Sequence, residues 1–185
     1  ILTEAEIKII EGQIRYFYNK KFTANKIVSL PTMKQCGLDM LLTEEMMDLN
    51  ATADTWESAV RQAGKLLVQA GAVEARYVDK MVHCVKELGP YIIVCPGVAL
   101  PHARVSDGAK RVAVSYIRLN HGVLFDMDNI KPICMIFAFS AINEKDHLHM
   151  LTDLWKIFMD KAALKRLYRC RTSKDVCNFM HKFLA

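Results

Sequence analysis

The chain has 185 residues, of which 52% are hydrophobic and 24% charged, with a formal net charge of +5. That length fits one domain with an appendage, and that balance predicts a packed core and excludes wholesale disorder. The basic excess is mild and interspersed with acids, so it fits acidic or phosphorylated partners without arguing for nucleic acid.

Along the chain, Ile7, Ile10, Ile14 and Phe17 recur at helical spacing, and Thr3 with Glu6 makes a capping-box pattern ahead of them. The stretch from Asn19 to Met40 has no clean period and contains Pro31 and Gly37, which predicts a linker or extended arm. Residues 1–40 are therefore expected to be an N-terminal helix and linker, and residues 41–185 a single domain. "MMDLN" is a short strand. Asp54 with Glu57 opens a helix that runs to Gly71, and "EARYVDKMVHCVKELG" is a second helix, closed by Gly89 and Pro90. Strands follow at "YIIV", "VAL", "RVAVSYIRL" and "PICMIFAFSA". The last is almost continuously apolar, the pattern of a central strand covered on both faces. "NEKDHLHMLTDLWKIFM" is a helix with Asn143 as its N-cap, and "KAALKRLYR" and "SKDVCNFMHKFL" are two shorter terminal helices. Helices, then strands, then helices predict an α/β fold with a single sheet sandwiched by helices.

The six cysteines form no CxxC pair and none sits at finger spacing from a histidine. A reduced, cytoplasmic chain is the expectation, with Cys95 and Cys134 acting as small hydrophobes in strands. His147 and His149 form an HxH pair, but residues two apart on a helix point about 200° apart, so they cannot share one metal ion. No stretch is long and apolar enough for a membrane helix. "NHG" around His121 is a turn signal, His83 and His181 read as surface residues, and Trp56 and Trp155 as packing residues. "KRLYRCR", Lys165 to Arg171, is the densest basic run: a solvated face, or a guide for an acidic partner.

The segment "GVALPHAR" carries the chemistry. Pro101 drives Leu100 into an extended conformation and supplies no amide to a ladder, so the strand ends there and delivers His102 at its tip. Strand ends are where open α/β sheets handle ligands. A histidine that merely caps a loop is the equal alternative on this local pattern. His147 adds weight to the first reading, because it lies in the opening turn of a helix, where backbone amides and the helix dipole favour an anion. A nucleophilic imidazole at a strand end and a second imidazole at a helix start could together hold a phosphoryl group.

"KELGPYIIVCPGVALPHARVSDGAKRVAVSYIRL" resembles the phosphohistidine region of EIIA domains of the fructose–mannitol type, from the bacterial phosphoenolpyruvate-dependent sugar phosphotransferase system. "GPYIIVCPGVALPHAR" looks closest to the ascorbate branch. "NEKDHLHML" is similar to the family's second-histidine segment, and "DTWESAVRQAGKLLVQAGAVEARYVDKM" fits its first two helices. The resemblance spans roughly Leu41 to Ala185. It implies the mixed-sheet EIIA fold, His102 as acceptor of a phosphoryl group from phospho-HPr, and His147 as its stabiliser. The acceptor further on would be a cysteine of a IIB domain. An arginine that some mannitol-type members carry in the second helix falls here at about Cys84, which makes Arg104 the candidate replacement. None of the cysteines looks like a IIB nucleophile, Cys36 being the least excluded.

The expected partners are phospho-HPr, a IIB domain or protein, and a second copy of the chain. No cofactor, metal ion, nucleic-acid contact or membrane insertion is expected. "ILTEAEIKIIEGQI" looks like the closing helix of a preceding IIB-like domain, which points to the EIIA-like C-terminal domain of a sugar-responsive transcription regulator or antiterminator. The alternatives are the EIIA component of a sugar transporter and a domain that kept the fold and lost the chemistry; the intact histidine pair argues against the last.

Overall fold

The computed structural model describes residues 37–125 and 131–185. Its elements, in chain order, are helix α1 (Leu38–Leu41), a 3-10 turn (Glu44–Met46), strand β1 (Met47–Ala51), helices α2 (Trp56–Gln69) and α3 (Ala75–Leu88), strands β2 (Ile93–Cys95) and β3 (Val98–Ala99), a second 3-10 turn (Val105–Asp107), strands β4 (Ala113–Val123) and β5 (Ile133–Ser140), and helices α4 (Glu144–Met159), α5 (Lys161–Arg169) and α6 (Ser173–Leu184). The five strands order as β1-β4-β5-β3-β2. β1 runs parallel to β4 and β3 parallel to β5, while β4–β5 and β2–β3 are antiparallel, which makes the expected single mixed sheet.

Period-two alternation sorts the sheet residues between two helical layers. Tyr116 lies opposite Phe137 with the rings stacked at 4.5 Å, and Phe137 in turn meets Phe158 of α4 at 5.5 Å. The next rung, Ser115 opposite Ala138, faces the other way: the Ser115 hydroxyl donates to the Ala63 carbonyl of α2 at 2.7 Å. Helices therefore cover both faces, and β5 is the buried central strand its composition predicted. α2 and α3 approach closely at Gly64, where an added Cβ would stand 2.7 Å from the Met81 terminal carbon and 2.8 Å from both Val78 methyls.

Some expectations shift. Asp54 does not cap α2; Thr55 does, with its hydroxyl accepting from the Ser58 amide at 3.2 Å, because Thr55 is the last extended residue. Asn143 caps α4 as expected, accepting from the Asp146 amide at 2.9 Å. The turn expected at "NHG" is instead a slip in register inside β4, between Arg118 and Val123, with His121 exposed on it. Gly122 serves close approach there: a Cβ would lie 2.7 Å from the Pro132 Cβ and 2.8 Å from the Cys134 Sγ. Trp56 packs as expected, stacked on Phe125 at 5.1 Å.

The linker reading of residues 19–40 does not hold for its last residues. Leu38 is fully buried, α1 packs on α6 and α4, and the Leu38 amide donates to the Asp153 carboxylate at 3.4 Å. Asp153 is itself buried, and Lys156 ion-pairs with it at 3.0 Å. A leucine truncated inside such a contact leaves a cavity. Leu38→Ala is therefore expected to lower unfolding free energy by about 2–5 kcal/mol in a urea titration; an unchanged midpoint would show that α1 is dispensable to the core.

Candidate functional site

β2 and β3 form a tight hairpin across Pro96-Gly97, with Gly97 at φ 85°, the positive angle that the third residue of a Pro-Gly turn requires. The hairpin is extended by one more bond, from the Leu100 amide to the Ile92 carbonyl at 2.7 Å. Pro101 then has no amide to give, though its carbonyl still accepts from the Phe139 amide at 3.3 Å. The ladder ends at that point, and His102 follows at the C-terminal ends of β3 and β5, as its sequence context predicted.

His102 is half-buried and its ring is packed from three directions. It stacks on Phe139 with centroids 4.7 Å apart, meets the His147 ring at 5.3 Å, and takes Tyr91 edge-on at 6.3 Å. His147 also touches Phe139, at 5.4 Å. The structure thus brings together the two histidines that the sequence singled out, 45 positions apart, on one apolar floor. The His102 Nδ1 lies 3.0 Å from the Leu100 carbonyl oxygen. A carbonyl only accepts, so Nδ1 carries the hydrogen and the lone pair of the neutral ring sits on Nε2.

Burial pushes the His102 pKa down to about 4; the Leu100 carbonyl works against that shift and His147 adds slightly to it. Burial also lowers the His147 pKa, against the opposing pull of Glu144. Both imidazoles are therefore neutral near pH 7, and the lone pair of the neutral His102 ring resides on Nε2.

The helix start beside His147 differs from the open amide cradle expected there. The Asp146 amide is taken by the Asn143 side chain, the Asn143 amide nitrogen donates to the Asp146 carboxylate at 2.7 Å, and Glu144 stands in the same turn. Two acids in that turn already complement the dipole, so stabilisation of an anion falls more on the His147 ring than on the backbone.

Arg104 is exposed two residues beyond His102. Its amide donates to the Asp107 carboxylate at 3.0 Å and its carbonyl accepts from the Asp107 amide at 3.0 Å, which closes the 3-10 turn. Cys84 is half-buried on α3, as an alkyl-like filler would be. His149 points away from His147 toward Asp153, 3.9 Å off, as the helical angle requires. Of the described cysteines, burial raises Cys95 to about 12 and raises Cys134, Cys170 and Cys177, so none of these four is a ready thiolate. Cys36 and the N-terminal helix lie outside the described residues. Among the described residues no group of three or more His, Cys, Asp or Glu could hold a metal ion, and no helix is long and apolar enough to cross a membrane.

Three contributors were not legible in advance: Phe139, Tyr91 and Tyr77. Phe139 reads as one more apolar strand residue, and only the parallel pairing of β3 with β5 sets it under His102. Tyr77 reads as a core position of an amphipathic helix, and nothing local says where its hydroxyl goes.

A mixed five-stranded sheet between helical layers, with two neutral imidazoles facing each other at its C-terminal edge, defines the class of small α/β domains built around a histidine pair. Residues 40–183 match the family model described as phosphoenolpyruvate-dependent sugar phosphotransferase system, EIIA 2. The chain belongs to that family of phosphocarriers. It is 30% identical over 145 residues, 78% of this chain and 94% of the relative, to the ascorbate-specific PTS system EIIA component of Escherichia coli. Among solved structures it superimposes on a PTS IIA protein from Streptococcus mutans with a TM-score of 0.72 at 28% identity, covering 80% of this chain and 94% of the other. It also matches the enzyme IIA of mannitol from Escherichia coli, solved in complex with phosphorylated mannitol enzyme IIB, with a TM-score of 0.65 at 26% identity, covering 75% of this chain and 95% of the other.

The pKa of His102 carries a stability consequence. A histidine held neutral in the fold, but titrating near 6.5 when unfolded, contributes stability that is fully present above 6.5. That contribution is lost as pH falls toward about 4, because the unfolded chain then binds a proton the fold refuses. The expected slope is at most about 1.4 kcal/mol per pH unit from this group. His102→Asn should flatten it, and an imidazole titration by NMR should place His102 well below the ordinary histidine value near 6.5.

Proposed function

We propose that the chain accepts a phosphoryl group from phospho-HPr on Nε2 of His102 and passes it to a cysteine of a IIB partner. The observation that carries this reading is the bond between Nδ1 and the Leu100 carbonyl, which assigns the lone pair to Nε2. The Nε2 pair attacks phosphorus, the bond from phosphorus to the donor breaks, and its electron pair returns to the donor. The ring then carries phosphate on Nε2 and hydrogen on Nδ1, with the Leu100 carbonyl stabilising the resulting positive character.

His147 responds to the same event. Burial keeps it neutral at rest, but a phosphoryl group of nearly two negative charges across a ring separation of 5.3 Å raises its proton affinity. A charged or donating His147 then stabilises the phosphorylated state without being phosphorylated itself. Arg104 adds an exposed positive charge two residues beyond His102. The ascorbate-specific relative and the mannitol IIA–IIB complex support a transporter component as the setting. A second setting is the regulatory domain of a sugar-responsive transcription regulator, phosphorylated at the same His102.

Incubation with phosphoenolpyruvate, enzyme I and HPr should yield one acid-labile, base-stable phosphoryl group per chain. His102→Ala should yield none, and stoichiometric labelling of that variant would refute the assignment. His147→Ala should stay folded by circular dichroism and transfer about ten- to a hundredfold more slowly, the loss of one charge-assisted hydrogen bond. A chase with a IIB protein distinguishes the settings: rapid loss of the label marks a transporter component, retention a regulatory domain.

A further inference from the structure

We propose that Tyr77 is a positioning residue for this transfer, its hydroxyl replacing the ladder that Pro101 ends and fixing the peptide after His102 against the end of β5. The proposal rests on the reading of His102 as phosphoacceptor and adds a residue that does not touch the phosphoryl group.

Tyr77 is fully buried on α3. Its hydroxyl accepts from the Ala103 amide at 3.1 Å and lies 3.0 Å from both the Ala103 and the Phe139 carbonyl oxygens. It has one hydrogen, so it donates to one of the two carbonyls at a time. A single oxygen atom thus bridges the residue after His102 and the residue whose ring stacks on His102 at 4.7 Å. The placement answers a specific need. Up to Pro101 the two segments are joined by backbone bonds, the last from the Phe139 amide to the Pro101 carbonyl. Beyond it the Ala103 amide has no strand to pair with, and a partly buried amide left unpaired is costly. A phenol on a helix meets that need from a fixed point, whereas a water molecule would exchange.

Core filling alone does not explain the hydroxyl. Phenylalanine would fill the same space, and a buried hydroxyl is unfavourable unless bonded. Burial raises the Tyr77 pKa to about 12, with Asp107 adding to the shift, so the group remains a donor under all ordinary conditions. The surrounding loop is tied in the same direction. Arg76, one residue before Tyr77, donates to the Ser106 carbonyl at 3.2 Å, and the Glu74 amide donates to the Gly108 carbonyl at 2.9 Å. The N-terminal end of α3 therefore holds the whole turn that follows His102.

In-line transfer is sensitive to the direction of the attacking lone pair, and displacement of a reacting group by an ångström costs up to about a hundredfold in rate. Single-turnover transfer from phospho-HPr should be measured on the full chain, its Tyr77→Phe variant and its His102→Ala variant, together with long-range proton–nitrogen spectra of the His102 ring. Tyr77→Phe should fold, lose about ten- to a hundredfold in maximal rate, and keep the same half-saturating phospho-HPr concentration, since Tyr77 is no part of the surface. In the parent protein the Nδ1–H tautomer should dominate, and in the variant both tautomers should be populated. An unchanged maximal rate with an unchanged tautomer would overturn the proposal. Should Tyr77→Phe not fold, amide exchange in the parent protein decides: slow exchange at Ala103 supports the bridge and fast exchange refutes it. Labelling of His102→Ala at the parent level would refute the phosphoacceptor reading alone, leaving the tautomer and exchange measurements to judge Tyr77.

Discussion

Pro101 ends the ladder between β3 and β5 one residue before His102, and the geometry of the site follows from that. A residue with an amide would have let the hairpin continue, with the next side chain locked to one face of the sheet. Instead, the last backbone bonds reach Leu100 and Pro101, and the histidine leaves the sheet while its neighbours on both sides are still held. The Leu100 carbonyl, freed from strand pairing on that side, becomes the acceptor for Nδ1. The same interruption leaves the Ala103 amide to the Tyr77 hydroxyl. One imino acid thereby controls which ring nitrogen carries the hydrogen and which part of the core anchors the loop.

Two opposing electrostatic demands meet at the histidine pair. The proposed transfer needs a neutral nucleophile, and burial of the His102 ring against Phe139 and Tyr91, with a further contribution from His147, keeps it neutral. After transfer the same apolar setting would be hostile to a phosphate dianion unless something answers its charge. Under the proposed function His147 would answer that charge, since burial suppresses its protonation at rest and an anion beside it would restore it.

Much of this was legible along the chain because it is local. The apolar run of β5, the Asn143 cap, the closure of α3 at Gly89 and the strand-ending role of Pro101 each depend on a few adjacent residues, and each lies where expected. The misplacements are equally instructive. Asp54 and Thr55 are both good caps, and the choice between them depends on where β1 releases the chain. "NHG" has turn chemistry, yet β4 absorbs it as a slip in register because its partner β5 continues alongside. The end of the presumed linker is helical because Leu38 finds a pocket under α6 and α4, and that pocket exists only once residues more than a hundred positions later have folded.

The amino-acid sequence by itself determined the order of the secondary elements from β1 onward and the strand-end placement of His102, since these follow from nearest-neighbour sterics and hydrophobic period. Tertiary structure alone decided that His147 faces His102 across 5.3 Å, that Phe139 lies beneath both rings, and that a tyrosine of α3 fastens the loop between them. Those three contacts join segments separated by 26 to 62 positions or depend on strand register. Register is set by the packing of two whole helical layers against the sheet, a condition that no short stretch of residues encodes.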